Sequence, residues 1–217
     1  MNSAVQIRPT DAYSVFTPDD SVEGDDARFH AGPVVFLVPE RASGQPPNLY
    51  IVVDGWISFA SPYAADPGRR GTTCFGTQVG YFRLKNDKLS HIYGAHYDME
   101  EVLAGHPIFH AQIRSMDRLR SVIAQEFRIA ASEEEDLAQG LLSNVRTPTA
   151  QMDVFAVITQ IGADHLMTGE SGPQVLDAFA RLRGACDFFL GAGGRLAYLN
   201  SPPAIHCYRS THWYERT

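Results

Sequence analysis

Hydrophobic and polar positions along this chain change their period once, near residue 114. Before that point, apolar residues occur in short runs or alternate with polar residues, which is typical of β-strands; after it they recur every three or four residues, which is typical of amphipathic helices. Strands followed by helices indicate an α+β fold. We therefore predict an antiparallel meander of about five strands over residues 33–113, then about three or four helices packed on one face, with possible short C-terminal strands.

The strand pattern is clearest in three segments. The run from Val34 to Val38 is β-branched and aromatic and stops at Pro39. Residues 49–59 form a second apolar segment, which contains Asp54-Gly55 and so predicts either a hairpin turn or a bulge there. Residues 74–84 form the third. A surface loop is predicted before it, over residues 61–71. After it, a polar turn leads into a strand rich in histidine.

The polar turn predicts a hairpin with a defined register. If Asn86-Asp87 is a two-residue loop, the strongest apolar positions of the two strands face each other. The pairs expected from this turn are Leu84 with Leu89, Phe82 with His91, and Tyr81 with Ile92. His91 would then have apolar neighbours, so we expect a neutral, packed core histidine there.

Helical periodicity begins with a stripe over residues 116–127, for which Ser115 is the expected N-cap. A capping-box pattern at Ser132 predicts a short acidic helix that Gly140 weakens. Thr147-Pro148 fits the start of the next helix, in which residues 152–167 are apolar almost all round; we expect this to be the central buried helix. A last helix is predicted from Ser171 to residue 191, followed by extended pieces at 196–199 and 204–208.

These segments are expected to form a single α+β domain spanning residues 1–217. Its parts are a loosely ordered N-terminal segment (1–32), the sheet (33–113), the helical layer (115–191) and a C-terminal extended segment (195–217). At 217 residues and 44% hydrophobic composition, the chain can bury a sizeable core.

Charge and composition narrow the possible partners and compartment. The formal net charge of -7 argues against nucleic-acid binding, which needs clustered lysine and arginine, although a local basic patch is compatible with it. The three cysteines are odd in number and far apart, as expected of free thiols in a reducing compartment. The sequence has no signal-peptide pattern at Met1 and no 18-residue apolar run, so we expect a cytoplasmic protein without a membrane segment.

Histidine density singles out one candidate site. Four of the eight histidines, His91, His96, His106 and His110, lie within residues 91–110. On two predicted strands there, the odd positions are apolar and the even positions are polar or glycine. The odd face should pack against the helices, and the even face should look outward and could bind a ligand.

Strand geometry decides which of these side chains can meet. At ~3.3 Å per residue, His106 and His110 lie about 13 Å apart and cannot share one metal ion. If residues 99–105 connect an antiparallel pair, Asp98 falls opposite His106, and His110 falls near Gly94, whose missing side chain would leave a hollow. We therefore predict a metal site at His96, Asp98 and His106 for zinc, manganese or iron(II), with His110 flanking it as a catalytic proton carrier.

Three functions are compatible with this pattern, beside a purely structural role in which a half-exposed sheet simply shows polar residues to water. The favoured one is a small hydrolase-type enzyme with a His/Asp site, either metal-dependent or acid/base. The alternative is a non-catalytic protein–protein interaction module, with another protein as the partner. A nuclease would need a basic groove that the composition does not display. The pattern does not indicate an oligomeric state.

Two further patterns have more than one interpretation. His96-Tyr97-Asp98 resembles the H-x-D motif of iron- and 2-oxoglutarate-dependent dioxygenases, with His206 or His212 as the distant third ligand; that family has jelly-roll strands where residues 115–190 here have helical periodicity. Asp164-His165 could be a general-base pair, but adjacent helix positions do not face each other, which favours a structural role.

A third pattern is a group of arginines. Arg114, Arg118 and Arg120 stand around the start of the first helix. A solvated helix face is the favoured interpretation, and contact with an acidic partner is the alternative.

Overall fold

The structure, a computed structural model, describes residues 8–9, 16–19, 27–38, 48–60, 71–99, 107, 109–131, 145–167 and 172–188. Its strands are β1 (Arg8–Pro9), β2 (Phe16–Pro18), β3 (Ala27–Val38), β4 (Leu49–Ala60), β5 (Gly71–Lys85), β6 (Lys88–Met99), β7 (His110–Ile113), β8 (Ala130–Ala131) and β9 (Thr147–Pro148). Its helices are α1 (Asp117–Phe127), α2 (Val154–Ile161), continued by a π-helical turn (Gly162–Leu166), and α3 (Pro173–Phe188).

One sheet contains all of these strands. Its order is β1-β3-β4-β5-β6-β7-β9, with β2 paired to β3 and β8 paired to β6. Consecutive long strands pair antiparallel, and the two-residue β8 is parallel to β6. The predicted α+β class with an antiparallel sheet is confirmed. Among the described residues, no helix is long and apolar enough to cross a membrane.

Helices cover the sheet on both faces, not on one as the sequence predicted. Val34 and Ile51 belong to a core that includes α2, and we call this side the α2 face. Their neighbours Val35 and Val52 point the other way, into a second core with Leu119 of α1, and this side is the α1 face. Because strand residues alternate between faces, long runs in which every position is apolar, such as 34–38, require a cover on both sides.

The hairpin between β5 and β6 follows the predicted turn. Asn86 and Asp87 have φ angles of 51° and 58°, the left-handed conformation that a two-residue hairpin turn with the twist of the strands requires. Leu84 pairs with Leu89, and Phe82 pairs with His91. The rings of Phe82 and His91 are 5.5 Å apart, so this part of the register prediction is confirmed.

A bulge shifts the rest of that register. Tyr81 pairs with Tyr93, not with Ile92, because β6 takes two steps where β5 takes one. Ile92 is the extra residue, and 46% of its surface is exposed. The predicted pairing of Tyr81 with Ile92 is therefore wrong, and residues beyond the bulge keep their own alternation.

Asp54-Gly55 is not a hairpin turn, but a bulge lies at this point of the sheet, because two residues of β3 lie opposite Asp54. Both residues pair within the continuous strand β4, opposite Gln78 and Thr77 of β5. The irregularity lies on the other neighbour, where β3 shifts register between Ala31 and Val34. Asp54 is nevertheless nearly buried, on the α1 face.

Two predicted helix starts are corrected. The residue before α1 is Met116, which makes no side-chain capping hydrogen bond, so Ser115 is not the N-cap. Thr147–Pro148 forms β9 by pairing with β7, and α2 begins only after Asp153. The Asp153 carboxylate accepts hydrogen bonds from Phe155 N (3.1 Å) and Ala156 N (3.0 Å), which satisfies two backbone donors at the helix start.

Helix α2 is the buried helix that the sequence predicted around residues 152–167. Val154, Val157 and Ile161 are almost fully buried against the sheet. Residues 61–70 of the predicted 61–71 loop, the acidic helix at 132–140, Ser171 and the segments at 196–199 and 204–208 lie outside the described residues, whereas Gly71 begins β5 and is not part of a loop. Predictions for them stay predictions.

Candidate functional site

The histidine face of β6 joins β7 in a register that differs from the predicted one. Asp98 pairs with His110, and His96 pairs with Gln112. The predicted register placed His106 opposite Asp98 and His110 near Gly94, and both placements are wrong for the described strands. His106 itself lies outside the described residues.

The observed register brings a carboxylate between two imidazole rings. Asp98 Oδ2 lies 2.9 Å from His96 Nε2, two residues away on the same face of β6. Asp98 Oδ1 lies 2.8 Å from His110 Nδ1, across the strand boundary. Each carboxylate oxygen thus contacts one ring, and we call His96, Asp98 and His110 the His/Asp cluster.

The carboxylate of this cluster is ionised at neutral pH. Burial by itself would raise the pKa of Asp98, but hydrogen bonding and charge interaction with His110 and His96 outweigh burial and hold the pKa well below its usual range. An ionised carboxylate can only accept hydrogen bonds. His96 therefore directs an Nε2–H at Asp98 Oδ2, which leaves its Nδ1 as the unprotonated nitrogen of the neutral ring, and His110 Nδ1 faces Asp98 Oδ1.

The three side chains form a gradient from interior to surface. The side chain of His110 is 1% exposed, that of Asp98 is 9% exposed and that of His96 is 17% exposed. The Nδ1 atom of His96 is buried and has no hydrogen-bond partner among the described residues. A buried polar atom without a partner is uncommon, and a catalytic role or a bound water or ion is among its explanations.

His96 also belongs to a row of polar residues that crosses four strands on the α1 face. Asp54 of β4 pairs with Gln78 of β5, Gln78 pairs with His96, and His96 pairs with Gln112 of β7. We call these four residues the polar row. Hydrophobic packing under α1 covers the neighbouring part of this face, through residues such as Tyr50 and Phe82.

An arginine contacts each end of the polar row. Arg118, in the first turn of α1, forms an ion pair with Asp54. At the other end, Arg114 donates a hydrogen bond from Nη2 to Gln112 Oε1. The two arginines therefore lie on the α1 face and are not merely part of a solvated helix surface.

Next to the polar row, Trp56 fills the space that a glycine leaves. Gly76 pairs with Trp56 on one side and with Asp98 on the other. A Cβ atom added at Gly76 would lie 2.7 Å from Trp56 Nε1, so the indole lies over β5 toward the cluster. The guanidinium of Arg28 stacks on this indole, 4.6 Å from its centroid.

Gly94 has a different role from the predicted hollow. Arg114 N donates to Gly94 O (3.1 Å), and a Cβ atom at Gly94 would lie only 2.3 Å from Arg114 O. The chain therefore passes directly over Gly94 between β7 and α1. This close approach carries Arg114 to the edge of the site.

A metal site is not visible in the described part of the chain. There, no group of three or more His, Cys, Asp or Glu side chains is arranged to hold a metal ion. The contacts of the His/Asp cluster are at hydrogen-bond lengths, and both oxygens of Asp98 already face a ring nitrogen. Metal binding by His96, Asp98 and His106 stays a prediction, since it depends on His106.

Asp164-His165 lies on the other side of the sheet, in the π-helical turn. The ring of His165 is 5.9 Å from that of Tyr81, on the α2 face. Burial lowers the pKa of His165, and the charge of Asp164 partly opposes that effect. This pair does not contribute to the His/Asp cluster.

Sequence reasoning missed several residues of the site. The sequence predicts a hairpin turn or a bulge at Asp54, although its position inside an apolar segment is equally a signal of a buried carboxylate. Gln78 and Trp56 gave no periodicity signal of their own. The sequence places Arg114 and Arg118 around the start of α1, but only their contacts with Gln112 and Asp54 show that they reach the histidine face.

Comparisons with known proteins add no family to this picture. No protein-family model, curated protein or solved structure matches the chain.

Proposed function

We propose that the His/Asp cluster is the acid/base site of a small hydrolase-type enzyme. The observation that carries this proposal is the unpartnered Nδ1 of His96, in a ring whose other nitrogen is held by an ionised carboxylate. A carboxylate in that position fixes the tautomer of the imidazole and stabilises the imidazolium that forms when it takes a proton.

Roles within the cluster follow from burial. His96 is the most exposed of the three side chains and is assigned the proton transfer. Asp98 and His110 are positioning residues, because they are more deeply buried and act on the substrate only through the ring of His96. This differs from the sequence-based expectation that His110 carries protons.

The arrangement of the ring nitrogens and carboxylate oxygens in the cluster supports an acid/base hydrolase over a metal-dependent one. A zinc ion would need several ligand atoms about 2.0 to 2.3 Å from one point. In the cluster, Asp98 instead lies between the rings with each oxygen engaged. A metal at Asp98 would have to displace one of these contacts.

The experiment is a hydrolysis survey with chromogenic acyl, phosphoryl and glycosyl esters between pH 5 and pH 9. We expect hydrolysis of at least one class, with kcat lowered about 100-fold or more in His96→Ala, since general acid/base catalysis contributes roughly 10²- to 10⁴-fold. Asp98→Asn should lower kcat and change the pH profile, because the wrong tautomer of His96 would be favoured.

A matched control is available on the same sheet. His30 Nε2 lies 3.1 Å from Asp19 Oδ2, which is another His/Asp pair, but one in which the histidine side chain is half exposed. His30→Ala should leave the hydrolysis rate unchanged. If His96→Ala retains the wild-type rate, or if no ester class is hydrolysed, the acid/base proposal is wrong.

The alternative function, a non-catalytic protein–protein interaction module, has one observation in its favour. Ile92 and Tyr93, adjacent at the β6 bulge, are 46% and 37% exposed. Exposed apolar residues mark a protein–protein interaction site where they are part of a large contiguous patch. If the wild-type protein hydrolyses no ester and the His96→Ala variant does not differ from it in that survey, this alternative is favoured.

A further inference from the structure

Two arginines flank the proposed acid/base residue on the same face of the sheet. Arg118 is bound at one end of the polar row through Asp54, and Arg114 at the other end through Gln112. His96 lies between those ends. With neighbouring strands about 4.8 Å apart, Asp54 is ~10 Å and Gln112 is ~5 Å from His96 along the row.

Both guanidinium groups keep N–H donors that no described residue engages. A guanidinium has five N–H donors, and the contacts described above engage one nitrogen of each arginine. The side chain of Arg118 is 64% exposed, and Arg114 is also exposed. Arginines with such donors are well suited to bind an anion, and each of these two side chains swings from its contact toward His96 to reach one phosphoryl group.

The chemistry of these donors selects the anion. Guanidinium groups match the oxygens of phosphate and carboxylate in two-point contacts. A phosphate ester presents several equivalent oxygens, so it can meet two arginines on different sides while its phosphorus faces a base between them. A carboxylate has only two oxygens and suits a single arginine better.

We infer that the substrate of this site is a small phosphate ester, with Arg114 and Arg118 holding the phosphoryl oxygens beside His96. This inference rests on the proposed function, which it deepens by naming the substrate class. A small ester is favoured over a polynucleotide because the chain has a net charge of -7, which repels a long polyanion, whereas two local arginines are sufficient for one phosphoryl group.

The reaction is a hydrolysis with water as the second reactant. His96 removes a proton from water, the water oxygen forms a bond to phosphorus, and the bond from phosphorus to the leaving oxygen breaks. The electron pair of that bond goes to the leaving oxygen, which receives the proton that His96 took up. His96 returns to its neutral form, and no oxidant or reductant is needed.

Binding of inorganic phosphate to the full chain tests the inference without relying on turnover. Phosphate is titrated into ¹⁵N-labelled protein while the imidazole signals of His96 are followed by NMR. We expect a saturable shift in the wild type. Arg114→Gln should weaken the apparent affinity about tenfold or more, the effect expected for a charge-assisted hydrogen bond.

Arg118 needs a paired design, because its removal leaves the nearly buried Asp54 without its counter-ion. Asp54→Asn combined with Arg118→Gln removes both charges and keeps an amide pair in their place. This double variant should also bind phosphate about tenfold or more weakly. Arg181→Gln is the control, because Arg181 pairs with Asp177 on α3, which packs against α2 on the other side of the sheet.

The outcomes separate this inference from the proposed function. If phosphate does not shift the His96 signals, or if the arginine variants bind it as tightly as Arg181→Gln does, the substrate inference is wrong even when a neutral acyl ester is hydrolysed through His96. If phosphate binds through the arginines but His96→Ala hydrolyses phosphate esters at the wild-type rate, anion binding is supported and the acid/base proposal is overturned.

Discussion

Asp98 Oδ1 lies 2.8 Å from His110 Nδ1, and the two residues are direct partners across β6 and β7. The four-residue strand β7 is therefore joined to the sheet by a side-chain contact as well as by its backbone. The contact belongs to the candidate site, so the stability of this edge of the sheet and the integrity of the site depend on the same carboxylate.

Replacing Asp98 by Asn should destabilise the protein. The lowered pKa of Asp98 shows that the fold favours the ionised carboxylate over its neutral form, which Asn resembles. We expect a loss of about 1 to 3 kcal/mol in the free energy of unfolding at pH 7, measured by urea denaturation. Asp177→Asn, which alters an exposed ion pair on α3, should change stability by less than about 0.5 kcal/mol. Equal effects of the two substitutions would contradict the assignment.

The same carboxylate predicts a dependence of stability on acid pH. Asp98 has a lower pKa in the folded protein than the value of about 3.9 in an unfolded chain, so the unfolded state takes up its proton first as the pH falls. The stabilisation is complete above that unfolded value and is lost as the pH decreases toward the folded pKa. Urea midpoints between pH 7 and pH 2.5 should show wild type and Asp98→Asn converging in acid; a constant difference would contradict this.

Gly94→Ala should disturb the start of α1. The added Cβ would lie 2.3 Å from Arg114 O and 2.7 Å from Met116 Cγ, so backbone must move. We expect a loss of about 1 to 3 kcal/mol by overpacking, together with weaker phosphate binding, because Arg114 would shift. Gly184→Ala is the matched control: nothing lies within 4 Å of its Cβ position in α3, and alanine should stabilise that helix by about 0.5 to 1 kcal/mol. Chemical denaturation of both variants checks the difference in sign.

Ile161→Ala tests the burial of α2. Ile161 is almost fully buried on the α2 face, and removing its side-chain methyl groups should cost about 2 to 5 kcal/mol. Val175→Ala, at an exposed position of α3, should change the free energy of unfolding by less than about 0.5 kcal/mol. Similar costs at the two positions in thermal or urea unfolding would show that α2 is not part of the core.

The parts of the fold that were predicted correctly depend on local chemistry. Asn86 and Asp87 accept positive φ angles, so their sequence alone specifies the turn and the first pairs of the hairpin. Periodicity likewise located β4, β5 and α1, since each has a buried stripe of its own. The α+β class follows from the order of those signals along the chain.

The partner of Asp98 could not be predicted in the same way. His106 and His110 are four residues apart, so both satisfy the two-residue alternation of a strand. The choice between them depends on where Arg114 crosses Gly94 and how α1 packs on the sheet, which are contacts between distant segments. For the same reason, the contact between Arg118 and Asp54 cannot be predicted from the sequence around either residue.

The extra residue at Ile92 shifts the alternation of side chains along β6 by one position. With a regular pairing beyond His91, position 96 would lie opposite Thr77 and position 98 opposite Phe75, on the α2 face. A polar histidine and a carboxylate would then point into an apolar core. One additional residue in β6 therefore decides whether His96 and Asp98 lie on the α1 face with the other polar residues or point into the apolar core of the α2 face.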